Sequence, residues 1–502
     1  MMNRVLNGSG GGSGNGATGS ARQPKAELTQ AQTPTFSFGA TETHVTFHTS
    51  DGVALRGTPL RLERHALVFE LYNPLAIPHV SESLGKFEIR LQDQPIYSGH
   101  AVIRNVLDVG TKIVCEATLS EASWTRALST GTTTIGSGGL AQKFNQFVSE
   151  WQKSFLVSQD YQLIVTNLLT FLSDLRLWLD QIESGIRSAP ATEHSSLEQK
   201  AVDQLRGPVI STLNNMFESF EVLCDRIPKG LEATHRAFGQ RLLHPYLLCA
   251  PFINRCFTKP LGFAGDYEMM NMIVRNKLEG GSLYAKLANQ YLLDQIGPMA
   301  VRGRVGFLNG RIVDETARVA RKGGIAKIFC VACGPAWEAV NFISSNPLAD
   351  KASFRFLDFN EETLNYTTNK VNEVRRQNNR QTQVQFIRNS VQNLMRARGG
   401  PAPEFDLIYC SGLYDYLSDS ICLSLNTHLY GLLKPGGALV VGNFAPNLPV
   451  RNFIEHFLEW FLIYRSAQEM LALAPPNAGR DNCAVRAEPT GTNFFLEVRK
   501  PE

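Results

Sequence analysis

No lysine- or arginine-rich tract occurs in the 502 residues, and 49 basic against 46 acidic side chains leave a net charge of only +3. Such a chain carries no electrostatic footprint for a phosphate backbone, so nucleic acid is excluded as a primary partner. Long apolar runs are lacking too. The longest apolar segment, Leu163 to Leu179, is broken by Thr166, Asn167, Ser173, Asp174 and Arg176, which makes it too polar and too short to span a bilayer. No amino-terminal apolar h-region marks a secretory signal, and the nine cysteines are scattered, several inside apolar strands. A reduced, cytoplasmic protein is expected. Cys330 and Cys333 form a single C-x-x-C with no second pair or histidine set to complete it. They are read as packing cysteines, and no metal is assigned.

What is present is a composition 43% hydrophobic, ample for real cores, in a length that suggests about three domains. Residues 1–36 are mostly small and polar, and are expected to form a disordered lead. From 37 to 124 short segments alternate apolar and polar residues: HVTFHT, ALRGTPLRLER, ALVFELYN, KFEIRLQ, QPIYSGHAVIRNVLDVG and TKIVCEATL. With turns at Asp51-Gly52 and near Gly110, they predict a small antiparallel barrel of about six strands. Residues 139–321 change to helical spacing, with Ile164, Leu168, Phe171, Leu175 and Leu179 on one stripe and Val209, Leu213, Met216 and Phe220 on another. The loop Ser188 to Ser196 separates two long helices, the second beginning near Leu197, and the stripes are compatible with a homodimer.

Residues 325–502 carry the chemistry. The apolar run Ile325 to Ala332 predicts a buried strand, Gly334 a turn, and the periodic run from Trp337 a helix. A glycine there lets the backbone pass close to a bound nucleoside at the carboxyl end of the strand, where an open α/β sheet keeps its ligand. Phe354 to Asp358 is a second apolar strand, ending in a carboxylate 24 residues after Gly334. That is about the offset at which nucleoside-binding α/β folds hold a ribose diol.

ACGPAWEA, FRFLDFN, FDLIYCSGLYDYLSD and LLKPGGALVVGNF together resemble the class I S-adenosylmethionine-dependent methyltransferases over Ile325 to Val498. The resemblance implies a doubly wound, Rossmann-like α/β domain with S-adenosylmethionine as cofactor. The loop Cys333-Gly334-Pro335 would approach the methionyl part, Asp358 the ribose, and Phe359 the adenine. Asn389, Ser390 and Val391 follow the third strand, Val384 to Ile387, with Ser390 where the family often has an acidic residue for the adenine amino group. Ser411 follows the fourth strand at the edge that faces the acceptor. The Lys434-Pro435-Gly436-Gly437 turn leads a further strand, and Asn493 to Val498 looks like the antiparallel edge strand. Where the family usually has two or three glycines in its first loop, this chain has one.

A second resemblance narrows the acceptor. PLGFAGDYEMMNMI, with Asp266 at a helix N-cap and Tyr267 opening the helix, is similar to a stretch found in the family for 3-hydroxypalmitate methyl ester biosynthesis. It implies a loop that closes over cofactor and substrate, and a 3-hydroxy fatty acid or related small acid as acceptor. Tyr414 and Tyr416 are candidates to line the pocket, and Trp460, Tyr464 and Arg465 to form an aromatic wall and a cation for its carboxylate; the plainer reading of His456 to Met470 is a buried amphipathic helix. The barrel resembles PilZ modules, which sense cyclic di-GMP, but their arginine motif is missing: Arg56, Arg61 and Arg64 stand at other spacings. Two other functions fit the same sequence, a methyltransferase for another O or N acceptor and an inactive scaffold with a nucleotide-sensing barrel.

Overall fold

A computed structural model describes residues 43–91, 94–109, 112–120, 123–124, 156–396 and 404–502. The expected lead over 1–36 and the start of the helical region at 139 lie outside the described residues. Six strands close an antiparallel barrel: β1 (Thr43–His48), β2 (Ala54–Leu62), β3 (Ala66–Tyr72), β4 (Ser83–Leu91), β5 (Gln94–Asp108) and β6 (Lys112–Leu119), in the order β1-β2-β3-β6-β5-β4. Alternation does the work. In β1, Val45 and Phe47 point inward and meet Phe69 and Phe87, with Thr46 and His48 between them half-buried.

Helices follow from Gln159 to Arg321. The first two, Gln159–Arg187 and His194–Cys224, pack on one another, and the second starts three residues before its expected beginning. Their buried stripes run Tyr161, Val165, Leu168, Leu172 and Leu179, and Val209, Leu213, Phe217 and Phe220. Ile164, Phe171, Leu175 and Met216, expected on those stripes, sit at their edges and are only partly buried. The face is rotated by part of a turn because the core lies toward Phe453 and Phe457 of the carboxyl-terminal region rather than between the two helices alone.

The carboxyl-terminal sheet has seven strands in the order β12-β13-β11-β10-β7-β8-β9. These are β7 (Ala326–Val331), β8 (Ala352–Asp358), β9 (Gln383–Arg388), β10 (Phe405–Cys410), β11 (Leu433–Phe444), β12 (Cys483–Ala487) and β13 (Asn493–Arg499). All pairs from β9 to β11 are parallel, whereas β13 runs antiparallel to both of its neighbours. Two expectations are corrected here. Asn493 to Val498 is not the edge strand; β12, three of whose five residues are exposed, pairs outside it. The Lys434 to Gly437 turn is absorbed into β11 as an irregularity, where the register against β10 shifts. The order reverses between β7 and β10, and a crevice opens at their carboxyl ends.

A third correction concerns His456 to Met470. The helix ends at Phe457, Glu459 takes a left-handed φ of 48°, and the chain then runs extended and largely buried through Arg465. Glu459 explains the break. Its carboxylate accepts hydrogen bonds from Thr118 of the barrel and Gln240 of the helical region, and faces His100 and Arg236 at 3.6 and 3.9 Å. Burial alone would raise its pKa, but the facing His100 and the charges of Arg236 and Lys259 hold it well below the ordinary 4.5. A carboxyl group with a depressed folded-state pKa contributes stability that is complete above its ordinary pKa and is lost as the pH falls below it. Glu459→Gln is therefore expected to cost about 3 kcal/mol at pH 7 and to lose less further stability than wild type as the pH falls from about 5 to about 3, measured by urea unfolding.

Among the described residues no helix is long and apolar enough to cross a membrane. All nine cysteines are free thiols.

Candidate active site

Four sheet-end loops converge on one cavity of about 210 Å³, lined by residues of 332–338, 357–360, 389–392 and 411–416. That is more than ten times the room a buried water needs, so the cavity is no packing defect. The loop 261–270 and helix residues Val301 and Arg304 close one side; Phe444 and Trp460 line it from the far end of β11 and the extended segment.

The first loop is built by conformation rather than by contacts. Gly334 has φ +50°, and a Cβ placed on it would meet nothing within 4 Å; the backbone faces open cavity. Ala332 and Ala336 adopt φ of 51° and 49°, a region that costs a β-carbon about 1–2 kcal/mol. Two alanines of this loop thus hold left-handed backbone under strain. Ala336→Gly is expected to raise stability by about 0.5–1 kcal/mol, the relief less the entropy a glycine loses, read as a higher melting temperature.

Asp358 ends β8 and is buried, with its oxygens accepting from the backbone N–H of Gly334 (3.1 Å) and Asn360 (3.0 Å). Burial raises its pKa against those bonds. The carboxylate thus ties the first and second loops together and retains lone pairs for a diol. Cys333 and Pro335 line the same wall, and the thiol of Cys333 is pushed well up by burial, so it is inert packing. Phe359, Asn389, Ser390 and Val391 line the cavity at the β9 end. There the Asn389 side chain accepts from the Ser390 N–H, and the Ser390 hydroxyl from the Asn393 N–H.

Asp266 caps the helix Tyr267–Arg275, accepting from the Met269 N–H at 2.8 Å, and is paired with Arg255 at 2.8 Å. It lines the cavity with its charge already matched. Tyr267 lines it as well, with its hydroxyl donated to Glu362 at 2.9 Å. Tyr416 and Trp460 line it together, the indole N–H donating to the phenol oxygen at 2.9 Å.

Tyr414, Tyr464 and Arg465 are not among the lining residues, which corrects the expected aromatic wall and cation. Tyr414 is fully buried beneath the sheet and donates to Asn426. Tyr464 packs under Arg451, its ring centroid 4.9 Å from the guanidinium carbon. Arg465, 2% exposed, is spent on Asp419, the carbonyls of Tyr414 and Leu417, and the side-chain oxygen of Asn443, at 2.6–2.9 Å. A guanidinium so occupied fastens loops and offers no fork to a ligand.

The cation in the cavity is Arg304, from the helix Ile296–Arg321. It is 7% exposed, its nearest acceptors are the Ser411 carbonyl at 3.3 Å and the Met270 sulfur at 3.1 Å, and among the described residues it forms no ion pair with a carboxylate. Desolvation lowers its pKa, offset by the more distant charges of Asp415 and Glu338. A buried guanidinium without an ion-pair partner is costly unless an anion reaches it. Helical spacing had no means of flagging it. In the sequence it is one of five arginines on the helix, with Arg302 two residues away, and nothing local sets it apart.

Residues 260–495, a little under half of the chain, match the model of a family described as "Putative methyltransferase". A search of curated proteins found no match. Among solved structures, the chain is similar to one described as a possible exported protein from Bordetella parapertussis, with 14% identity and TM-score 0.38, covering 59% of this chain and 97% of that one. It is also similar to magnesium protoporphyrin IX methyltransferase from Synechocystis PCC 6803 with bound S-adenosylhomocysteine (16%, TM-score 0.29, 41% and 87%). A third is the N-methyltransferase NodS from Bradyrhizobium japonicum WM9 (12%, TM-score 0.28, 47% and 98%). At such scores these likenesses carry no argument about activity or acceptor.

Proposed function

We infer that this chain, an S-adenosylmethionine-dependent methyltransferase by its family match and donor cavity, esterifies the carboxylate of a 3-hydroxy fatty acid or a related small acid in the cytoplasm. The observation that carries the reading is the convergence of four sheet-end loops on a cavity that also holds an unpaired buried arginine and an apolar wall. The residues fit the donor: Gly334 leaves room where its Cβ would project, Asp358 has acceptor capacity for the ribose hydroxyls, and Arg304 suits the methionyl carboxylate beside the Ser411 carbonyl. Phe359 and Ser390 are available to the adenine.

S-Adenosylmethionine, when bound, supplies an electrophilic methyl group on a positive sulfonium. The protein's work is then to hold the acceptor oxygen in line and keep water out. Phe263, Tyr416 and Trp460 supply a dry wall for this. A carboxylate acceptor is ionised at neutral pH and needs no base, which agrees with Asp266 and Tyr267 being engaged in structural hydrogen bonds. The acyl class itself rests on resemblance, supported by the apolar stretch of Leu261, Phe263, Met270, Val274 and Val301 along the cavity. Neither a homodimer nor a cyclic dinucleotide is part of this proposal.

The test is calorimetric titration with S-adenosylhomocysteine, followed by detection of the methyl ester of 3-hydroxyhexadecanoate. Wild type is expected to bind and to form the ester. Asp358→Ala is expected to bind at least ~30-fold more weakly, the loss of hydrogen bonds to a charged group. Binding without an ester from any acid in a panel of hydroxy and plain fatty acids would remove the acyl acceptor.

A further inference from the structure

The barrel is not a separate module appended to the enzyme. Thr49, Ser50 and Asp51 of the β1–β2 turn and Ala76, Ile77, His79 and Glu82 of the β3–β4 loop line the same cavity as the donor loops. The two modules meet without a gap. The Ser83 N–H donates to the Gly262 carbonyl at 2.8 Å, and Gly262, at φ +88°, passes so close that a Cβ there would lie 2.6 Å from Ser50. Phe263 stands between His79, Phe359 and Tyr416, at ring distances of 6.4, 5.9 and 6.2 Å.

Glu82 organises this wall. It is 1% exposed, and its two oxygens accept the backbone N–H of Ser50 (2.6 Å) and of His79 (2.8 Å), so one buried carboxylate pins both barrel loops. The His79 ring nitrogen Nδ1 lies 3.6 Å from the same carboxylate. Burial alone would raise the Glu82 pKa, but the bonds to His79 and Ser50 bring it below the ordinary value, so the group is a fixed negative charge. The carboxylate faces Nδ1, so Nε2 is the ring nitrogen left for a ligand. With the sheet-end loops occupied by the donor, the barrel side is what remains for the acceptor.

We propose that the barrel forms the acceptor subsite, with Ile77 and Ala76 against the acyl chain, His79 contacting an oxygen of the acid, and Glu82 positioning His79. This rests on the acid acceptor inferred above and adds the residues that select it. The barrel thereby acts as a specificity wall.

Three readouts separate the parts, applied to wild type, His79→Ala, Ile77→Trp and a control, Tyr72→Ala, on the exposed outer face of the barrel. The first is S-adenosylhomocysteine affinity by calorimetry. The second is the affinity of the saturated protein for the fluorescent fatty acid cis-parinarate, and the third is KM and kcat for 3-hydroxyhexadecanoate. The expected result is donor affinity within about twofold of wild type in every variant, with parinarate affinity and KM weakened tenfold or more in Ile77→Trp. His79→Ala should raise KM at least tenfold, and Tyr72→Ala should change nothing. Wild-type parinarate affinity and KM in both wall variants, or no parinarate binding by wild type, would overturn the subsite. Parinarate binding that Ile77→Trp abolishes, with no ester formed by wild type, would sink the esterification instead and leave the barrel wall standing.

Discussion

Arg465→Ala is expected to cost about 3–5 kcal/mol of folding stability, with donor affinity per folded molecule unchanged. The side chain is 2% exposed and serves four partners on three segments: Asp419, the loop carbonyls of Tyr414 and Leu417, and Asn443 at the end of β11. Removing it strips a donor from three buried acceptors, each costing roughly 1–3 kcal/mol, and opens a void among fully packed side chains. Asp419 is largely exposed and regains water, so it adds little. Arg465→Lys should recover only part of the loss, since an ammonium cannot reproduce the planar fork. Urea unfolding reads the stability, and calorimetry on the remaining folded protein reads the site. A stable Arg465→Ala protein with a raised KM for the acid would restore the clamp that the geometry excludes.

Arg304→Met should give the sharpest effect on the donor. The substitution keeps most of the volume and removes the charge. Its expected signature is a tenfold or greater loss of affinity for S-adenosylhomocysteine, with affinity for 5′-methylthioadenosine within about twofold of wild type. The second ligand lacks the amino-acid end that Arg304, beside the Ser411 carbonyl, is placed to meet. One charge-assisted hydrogen bond is worth about 1.5–3 kcal/mol, which sets that factor. Equal losses for both ligands would mean a collapsed cavity wall, and no loss for either would assign the guanidinium to the acceptor.

The two arginines show where sequence reasoning carries and where it stops. Strands and their loop residues were legible because β-period alternation, Gly334 and the carboxylate of Asp358 are local signals. The aromatic stretch around Arg465 reads as helix by composition, yet Glu459 turns the chain left-handed to meet Arg236 and His100, contacts from more than two hundred residues away. No local pattern encodes that. Arg304 escapes such reading for the converse reason: on a long helix with five arginines each looks solvated, and only the packing of Ser411 and Met270 around it reveals burial. Likewise Ile77 and His79 read as barrel loop, and their place against the donor loops depends on docking between distant parts of the chain.

That docking sets a timetable for synthesis. Ser81 and Glu459, joined by a hydrogen bond across the junction, are 378 positions apart. At roughly 5–20 residues per second a ribosome delivers the second about 20–80 s after the first. Val80 and Val102, packed against Phe461 in the finished fold, gain that cover only at the end of the interval. A nascent chain stalled before Glu459 therefore lacks the residues that seal this side of the barrel.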